Sequence, residues 1–175
     1  MNVLENAVNI AKKENISTIA VASTTGDTAL KLFELAKGSK FQLVVVTHDE
    51  GRVPRERRFK EDIRQILLAN HVTVYTHNPR AIILRKIISA IFEKLGLPTW
   101  YEYLRQMREK YGPGIKVCHI IVRMLIEGNI LRDERVMAIA GKKSGADSAA
   151  VFLVEPRNKR PILEKVIASS KEEGE

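Results

Sequence analysis

The strongest constraint on this fold is an alternation of two periodicities. Residues 17–22 (STIAVA), 41–47 (FQLVVVT) and 72–75 are short apolar runs rich in β-branched side chains. Between them, Ala29, Leu32, Phe33 and Ala36 recur at helical spacing, as do Phe59, Ile63, Ile66 and Leu67. The first helix of this kind is expected over 27–37, with Gly38 as its stop, and the second over 56–69. A preceding helix is expected over 2–15, with Leu4, Ala7, Val8 and Ala11 as its stripe and Asn2 with Glu5 as a capping box. Strands that alternate with helices in this way lie parallel and are joined by right-handed crossovers.

The middle of the chain carries helical signal only. Ile82 to Leu95 ends at Gly96 with Pro98 beyond, and Thr99 to Tyr111 and Ile115 to Glu127 follow. Two strands then come close together, 135–141 and 148–154. The connection Lys142 to Asp147 is too short for a parallel crossover, so the second of these strands runs antiparallel to the first. The expected architecture is α/β, three layers (α/β/α), with a mixed five-stranded sheet in the order 3-2-1-4-5 and strand 5 antiparallel. Ile162 to Ala168 reads as a last helix. Residues 1–170 read as one domain and 171–175 as a polar tail.

Composition narrows the function classes. Lys and Arg number 29 against 21 Asp and Glu, a net charge of +8. That admits nucleic acid, acidic metabolites and anionic surfaces as partners without choosing among them. Cys118 is the single cysteine, so no internal disulfide forms. There is no secretory signal and no apolar run of membrane-spanning length, so a cytoplasmic protein with no membrane partner is expected.

In a parallel α/β sheet, ligands bind beyond the carboxyl ends of the strands, where the strand order reverses. Two loops are expected there. One is Ser23-Thr24-Thr25-Gly26-Asp27-Thr28, which opens a helix and offers free N–H groups, hydroxyl donors and a glycine for close backbone approach. The other is Gly141-Lys142-Lys143-Ser144-Gly145-Ala146-Asp147, running into Ser148, which adds two ammonium groups and a hydroxyl. Thr47 and His48 end the second strand beside them. Both loops suit a phosphate. Both are also ordinary punctuation, a helix N-cap and a hairpin turn. Neither has the G-x-x-x-x-G-K-[ST] order of a Walker A loop.

These loops carry a family resemblance. IAVASTTGDTALKLFELAKGSKFQLVVVT resembles the start of the pyruvate kinase C-terminal domain, and VMAIAGKKSGADSAAVFLV resembles its last hairpin. The match is closer to small stand-alone proteins, mostly archaeal, described as pyruvate kinase alpha/beta-domain-like. The motifs are Ala22 to Ala29, Val44 to Thr47, Gly114 to Cys118 and Gly141 to Ala149. The resemblance implies the same fold and phosphate contacts from Ser23, Thr24, Thr25, Gly26 and Thr28. Lys142, Ser144, Gly145 and Asp147 match in the second loop. Asp27 follows the stand-alone proteins, whereas pyruvate kinases often have a basic residue there. His119 and Ile120 stand where the family usually has an acidic residue, and 77–111 fits it least. Pyruvate kinase activity is not implied, because catalysis in that enzyme sits in a separate barrel. The resemblance implies a binding or regulatory domain for a phosphorylated small molecule, with flavin mononucleotide (FMN) as a cofactor candidate.

Two other function classes stay open. An enzyme acting on such a ligand would draw on Asp27, His48 or Asp147 as acid, base or Mg²⁺ ligand. A nucleic-acid module would use the basic clusters around Arg55, Arg57 and Arg58 and around Pro156 to Arg160, although stacking aromatics are scarce there. The four histidines lack the spacing of a zinc site. Cys118 reads as a small core residue. Trp100, Tyr101 and Tyr103 fit core packing, a flat ligand pocket or a contact in a homo-oligomer.

Overall fold

Apolar side chains on both sides of nearly every strand force this sheet to be covered on both faces. The computed structural model describes residues 2–47, 54–76, 94, 100–141, 145–155 and 160–170. The elements are α1 (Val3–Lys13), β1 (Thr18–Ala22), α2 (Asp27–Ala36), β2 (Gln42–Thr47), a 3₁₀ turn (Arg55–Arg57), α3 (Glu61–Ala69) and β3 (Thr73–Thr76). They continue with α4 (Trp100–Tyr111), α5 (Pro113–Glu127), β4 (Glu134–Ala140), β5 (Ser148–Val154) and β6 (Ile162–Ala168). The helix expected over 82–95, apart from Lys94, and the polar tail lie outside the described residues.

The strands form one sheet in the order β3-β2-β1-β4-β5-β6. The pairs β1–β2, β2–β3 and β1–β4 are parallel, and β4–β5 and β5–β6 are antiparallel. The strand order therefore reverses between β1 and β4. Alternate residues divide the core in two. Ile19, Val21, Leu43, Val45, Met137, Ile139 and Val151 pack with α1, α2 and α3. Ala20, Val44, Val46, Val136, Ala138 and Phe152 pack with Met107 of α4 and with Ile115, Cys118, Val122 and Leu125 of α5. At the start of α1, Asn2 and Glu5 form the expected reciprocal cap.

Two expectations are corrected. The sheet has six strands, not five, because Ile162–Ala168 is a strand and not a helix. Its apolar residues come in pairs, Ile162-Leu163 and Val166-Ile167, which imitates helical spacing. The pairing arises from two register shifts against β5, which leave Glu164 and Ile167 as extra residues. The first shift interrupts the alternation, so the adjacent Glu164 and Lys165 both reach ion partners, Arg135 at 2.7 Å and Glu14 at 2.8 Å. The helix expected over 56–69 begins only at Glu61, after the 3₁₀ turn, and Ile66 is 43% exposed and does not face inward.

Candidate functional site

The carboxyl ends of β1, β2 and β4 lie side by side, and the first candidate loop sits on them. Ser23 N–H donates to the Val46 carbonyl at 3.0 Å, which continues the β1–β2 register and sets Ser23 level with Thr47. Ser23 is buried, and its hydroxyl oxygen accepts from Gly26 N–H at 3.2 Å and Ala29 N–H at 3.4 Å. Ser23 thus ties the turn together from inside and satisfies donors that the start of α2 leaves open.

Gly26 also has a packing part that its sequence context does not suggest. Its φ is +99°, and an added Cβ would lie 2.9 Å from Ile63 Cγ2 and 3.1 Å from the Phe59 ring. The glycine lets the turn close onto Phe59 and α3. Gly26→Ala is expected to cost about 2 kcal/mol, from left-handed strain and crowding together. Chemical denaturation measures it, and wild-type stability in that variant would refute the packing role.

Asp27 is exposed and committed. Its carboxylate accepts from Lys60 Nζ at 2.6 Å and from the Thr25 hydroxyl at 2.8 Å. Lys60, and after it Thr25, hold the carboxyl below its usual range, so Asp27 stays ionised and is a poor general acid. Lys60 N–H also donates to the Thr25 carbonyl at 3.0 Å. That contact brings the exposed Arg55 and Arg57 of the 3₁₀ turn to the same neighbourhood. Phe59, the aromatic residue of that cluster, is buried and offers no stacking face to a base. Thr24, Thr25 and Thr28 are half-buried around the start of α2.

Thr47 is the unusual residue of the group. It is 5% exposed, and its hydroxyl has no hydrogen-bond partner among the described residues. Alternation along β2 sends its side chain to the face of Val45, the side on which α2 begins. Buried hydroxyls nearly always have partners.

The second loop closes tightly. Asp147 N–H donates to the Ala140 carbonyl at 3.1 Å. A Cβ on Gly141 would fall 1.7 Å from the Gly145 carbonyl oxygen, so the backbone occupies the space of a side chain. Gly145 is exposed at the turn and Ala146 half-buried. Asp147 accepts from the Ser148 hydroxyl at 2.7 Å and faces the start of α5. Asp27 and Asp147 are therefore engaged on opposite faces of the sheet, and they do not form an acid/base or Mg²⁺ pair. Among the described residues no cluster of His, Cys, Asp and Glu is arranged to hold a metal. Lys142, Lys143, Ser144 and His48 lie outside the described residues.

Sequence reasoning missed Lys60, and it gave the start of α5 no place at the site although Gly114 to Cys118 carried part of the resemblance. Lys60 is far from the turn in sequence, and only the packing of Phe59 beneath Gly26 delivers it. The start of α5 had a signal in Gly112-Pro113-Gly114, a proline in the first helical turn flanked by glycines. Gly114 meets Ser148 directly. One turn on, the Cys118 thiol donates to the Ala138 carbonyl at 3.4 Å. Burial, and after it the charge of Asp147, push that thiol far above its ordinary range, so it is a core group and not a nucleophile.

Among the described residues no helix is long and apolar enough to cross a membrane. No protein-family model matches the sequence.

Proposed function

We propose that this chain is a binding or regulatory domain for a phosphorylated small molecule, held where β1, β2 and β4 end. The observation that carries the reading is the buried hydroxyl of Thr47, without a partner among the described residues, beside Ser23 and the first turn of α2. A buried hydroxyl without a partner costs about 1–3 kcal/mol, and a bound phosphate oxygen would accept its proton. The start of α2 adds its dipole and the N–H groups of its first turn other than that of Ala29, which Ser23 holds. Thr24 and Thr28 add hydroxyls, and Lys60 can turn from Asp27 toward a stronger anion. The resemblance of Ala22 to Ala29 and Gly141 to Ala149 to the pyruvate kinase alpha/beta-domain-like proteins supports the same site and makes FMN the first ligand to try. Catalysis is not part of the proposal.

Thr47→Val tests it, because valine has the shape of threonine without the hydroxyl. The apo variant should be as stable as the wild type, or more stable by about 1 kcal/mol, since it removes an unsatisfied group. The thermal shift produced by FMN should fall in the same variant. Riboflavin, which lacks the phosphate, should shift wild-type protein less than FMN does. Absence of any shift with FMN, nucleotides, sugar phosphates or inorganic phosphate would overturn the reading. Visible flavin absorbance in purified protein, with mass-spectrometric identification of the retained compound, gives an independent check.

A further inference from the structure

Asp27 opens α2, at the end of the helix where the dipole favours an anion. One oxygen of its carboxylate accepts from Lys60 Nζ at 2.6 Å, and the other accepts from the Thr25 hydroxyl at 2.8 Å. An ammonium and a hydroxyl beside a helix start are also the donors that phosphate oxygens take. The protein's own carboxylate therefore stands where a ligand's charge would be met. Lys60, and after it Thr25, keep that carboxylate ionised throughout the neutral range.

An independent sign that a ligand oxygen belongs here is Thr47. Its buried hydroxyl has no partner among the described residues, and it lies on the face where α2 begins. Of the first N–H groups of α2, Ser23 holds that of Ala29 and the Gly26 carbonyl holds that of Leu30, which leaves those of Asp27 and Thr28 for an incoming anion.

The Asp27–Lys60 pair is easily opened. The two side chains are 52% and 51% exposed, and a pair in that setting shifts an equilibrium by no more than about fivefold. Lys60 N–H stays bonded to the Thr25 carbonyl at 3.0 Å, so the base of the side chain is fixed beside the turn while its flexible stem lets the ammonium move. A phosphate monoester carries nearly two charges at neutral pH, against one on the carboxylate, and attracts the ammonium more strongly at equal distance.

We propose that Asp27 is a built-in competitor for the phosphate site: it holds Lys60 and the Thr25 hydroxyl while the site is empty, and a phosphate monoester takes both from it on binding. Resting on the phosphate reading, this role gives the site its cation in Lys60 and sets its affinity below what the donors alone would give.

The probe is methyl phosphate, a monoester with almost no body, titrated at pH 7.5 and constant ionic strength and followed by the amide NMR signals of Thr24 to Thr28. Asp27→Asn should tighten it by about fivefold, the factor an exposed pair is worth. Lys60→Gln should weaken it at least about tenfold, as loss of a charged hydrogen bond implies. Glu34→Gln makes the same change in charge seven residues further along α2, about 10 Å away, and should alter the Kd less than about twofold. The side-chain ammonium signal of Lys60 should shift on saturation of the wild type. Equal or weaker binding by Asp27→Asn, wild-type binding by Lys60→Gln, an equal gain in Glu34→Gln, or a Lys60 signal that does not move would overturn the competitor role alone. No binding of methyl phosphate, or binding unchanged in Thr47→Val, would remove the phosphate reading and the competitor role together.

Discussion

Replacing Gly114 with alanine should destabilise this protein by about 3 kcal/mol, at the upper end for overpacking a core. The new Cβ would lie 1.9 Å from Ser148 Oγ, 2.4 Å from Ser148 Cβ and 2.9 Å from Asp147 Oδ1. A rotamer change can move the hydroxyl. It cannot move Ser148 Cβ, which is fixed to the backbone at the start of β5. Ser148 is fully buried, donates to Asp147 and accepts from Ser170 N–H at 3.1 Å. The first turn of α5 would have to lift off β5, taking Ile115 and Cys118 out of register with the core. For a chain of this size that cost lowers Tm by roughly 6–12 °C. Adding Ser148→Gly to Gly114→Ala should recover part of the loss, because it removes the atoms in conflict. Urea unfolding of both variants measures this, and a single variant as stable as the wild type would show that the contact is not tight.

Stability should also fall as pH drops from 6.5 to about 4, and His119 is the cause. The ring is fully buried between Tyr103 and Phe152. Burial depresses its pKa to about 4, against a smaller opposing effect of the Pro161 carbonyl, which favours the protonated ring. The unfolded chain takes up this proton near pH 6.5 and the folded chain does not until about pH 4, so between those values acid favours unfolding. The full window is worth about 3 kcal/mol, and the loss levels off below it. Glu14, Asp27 and Glu102 have lowered carboxyl pKa values, so their contribution is present above the ordinary carboxylate range and lost only as pH falls below it. The interval from pH 6.5 to 5 therefore separates the histidine from these carboxylates. His119→Phe keeps a ring between Tyr103 and Phe152 and should flatten the profile in that interval. An unchanged slope in His119→Phe would assign the acid sensitivity elsewhere.

The parallel half of the fold was legible because its strands and helices obey one simple rule each. Ile19 to Ala22 and Leu43 to Val46 are apolar on both sides, and Leu4, Ala7, Val8 and Ala11 form one stripe. β6 was not legible because two register shifts removed its period of two. The site was legible as a place more than as a set of contacts. The Ser23–Thr28 turn and the Gly141–Asp147 loop could be located from strand ends and loop length. The roles inside them depended on residues distant in sequence. Phe59 and Ile63 explain Gly26, Lys60 occupies Asp27, and Ser148 explains Gly114. Thr47 was a candidate from its place at the end of β2, but that its hydroxyl has no partner among the described residues had no sequence signal, because an absent partner is a property of three-dimensional surroundings.

The shifted register of β6 has a consequence for how this chain meets copies of itself. Strand addition needs an edge whose N–H and C=O groups run in even step, with side chains alternating up and down. Here the step is broken at Glu164 and again at Ile167, and the two charges beside the first break are held by Arg135 and Glu14. A second chain laid along Ile162–Ala168 would find its hydrogen-bonding groups out of phase and would have to bury ions already paired. Among the described residues the sheet ends on this side at β6, and its broken step disfavours strand addition between copies along that edge.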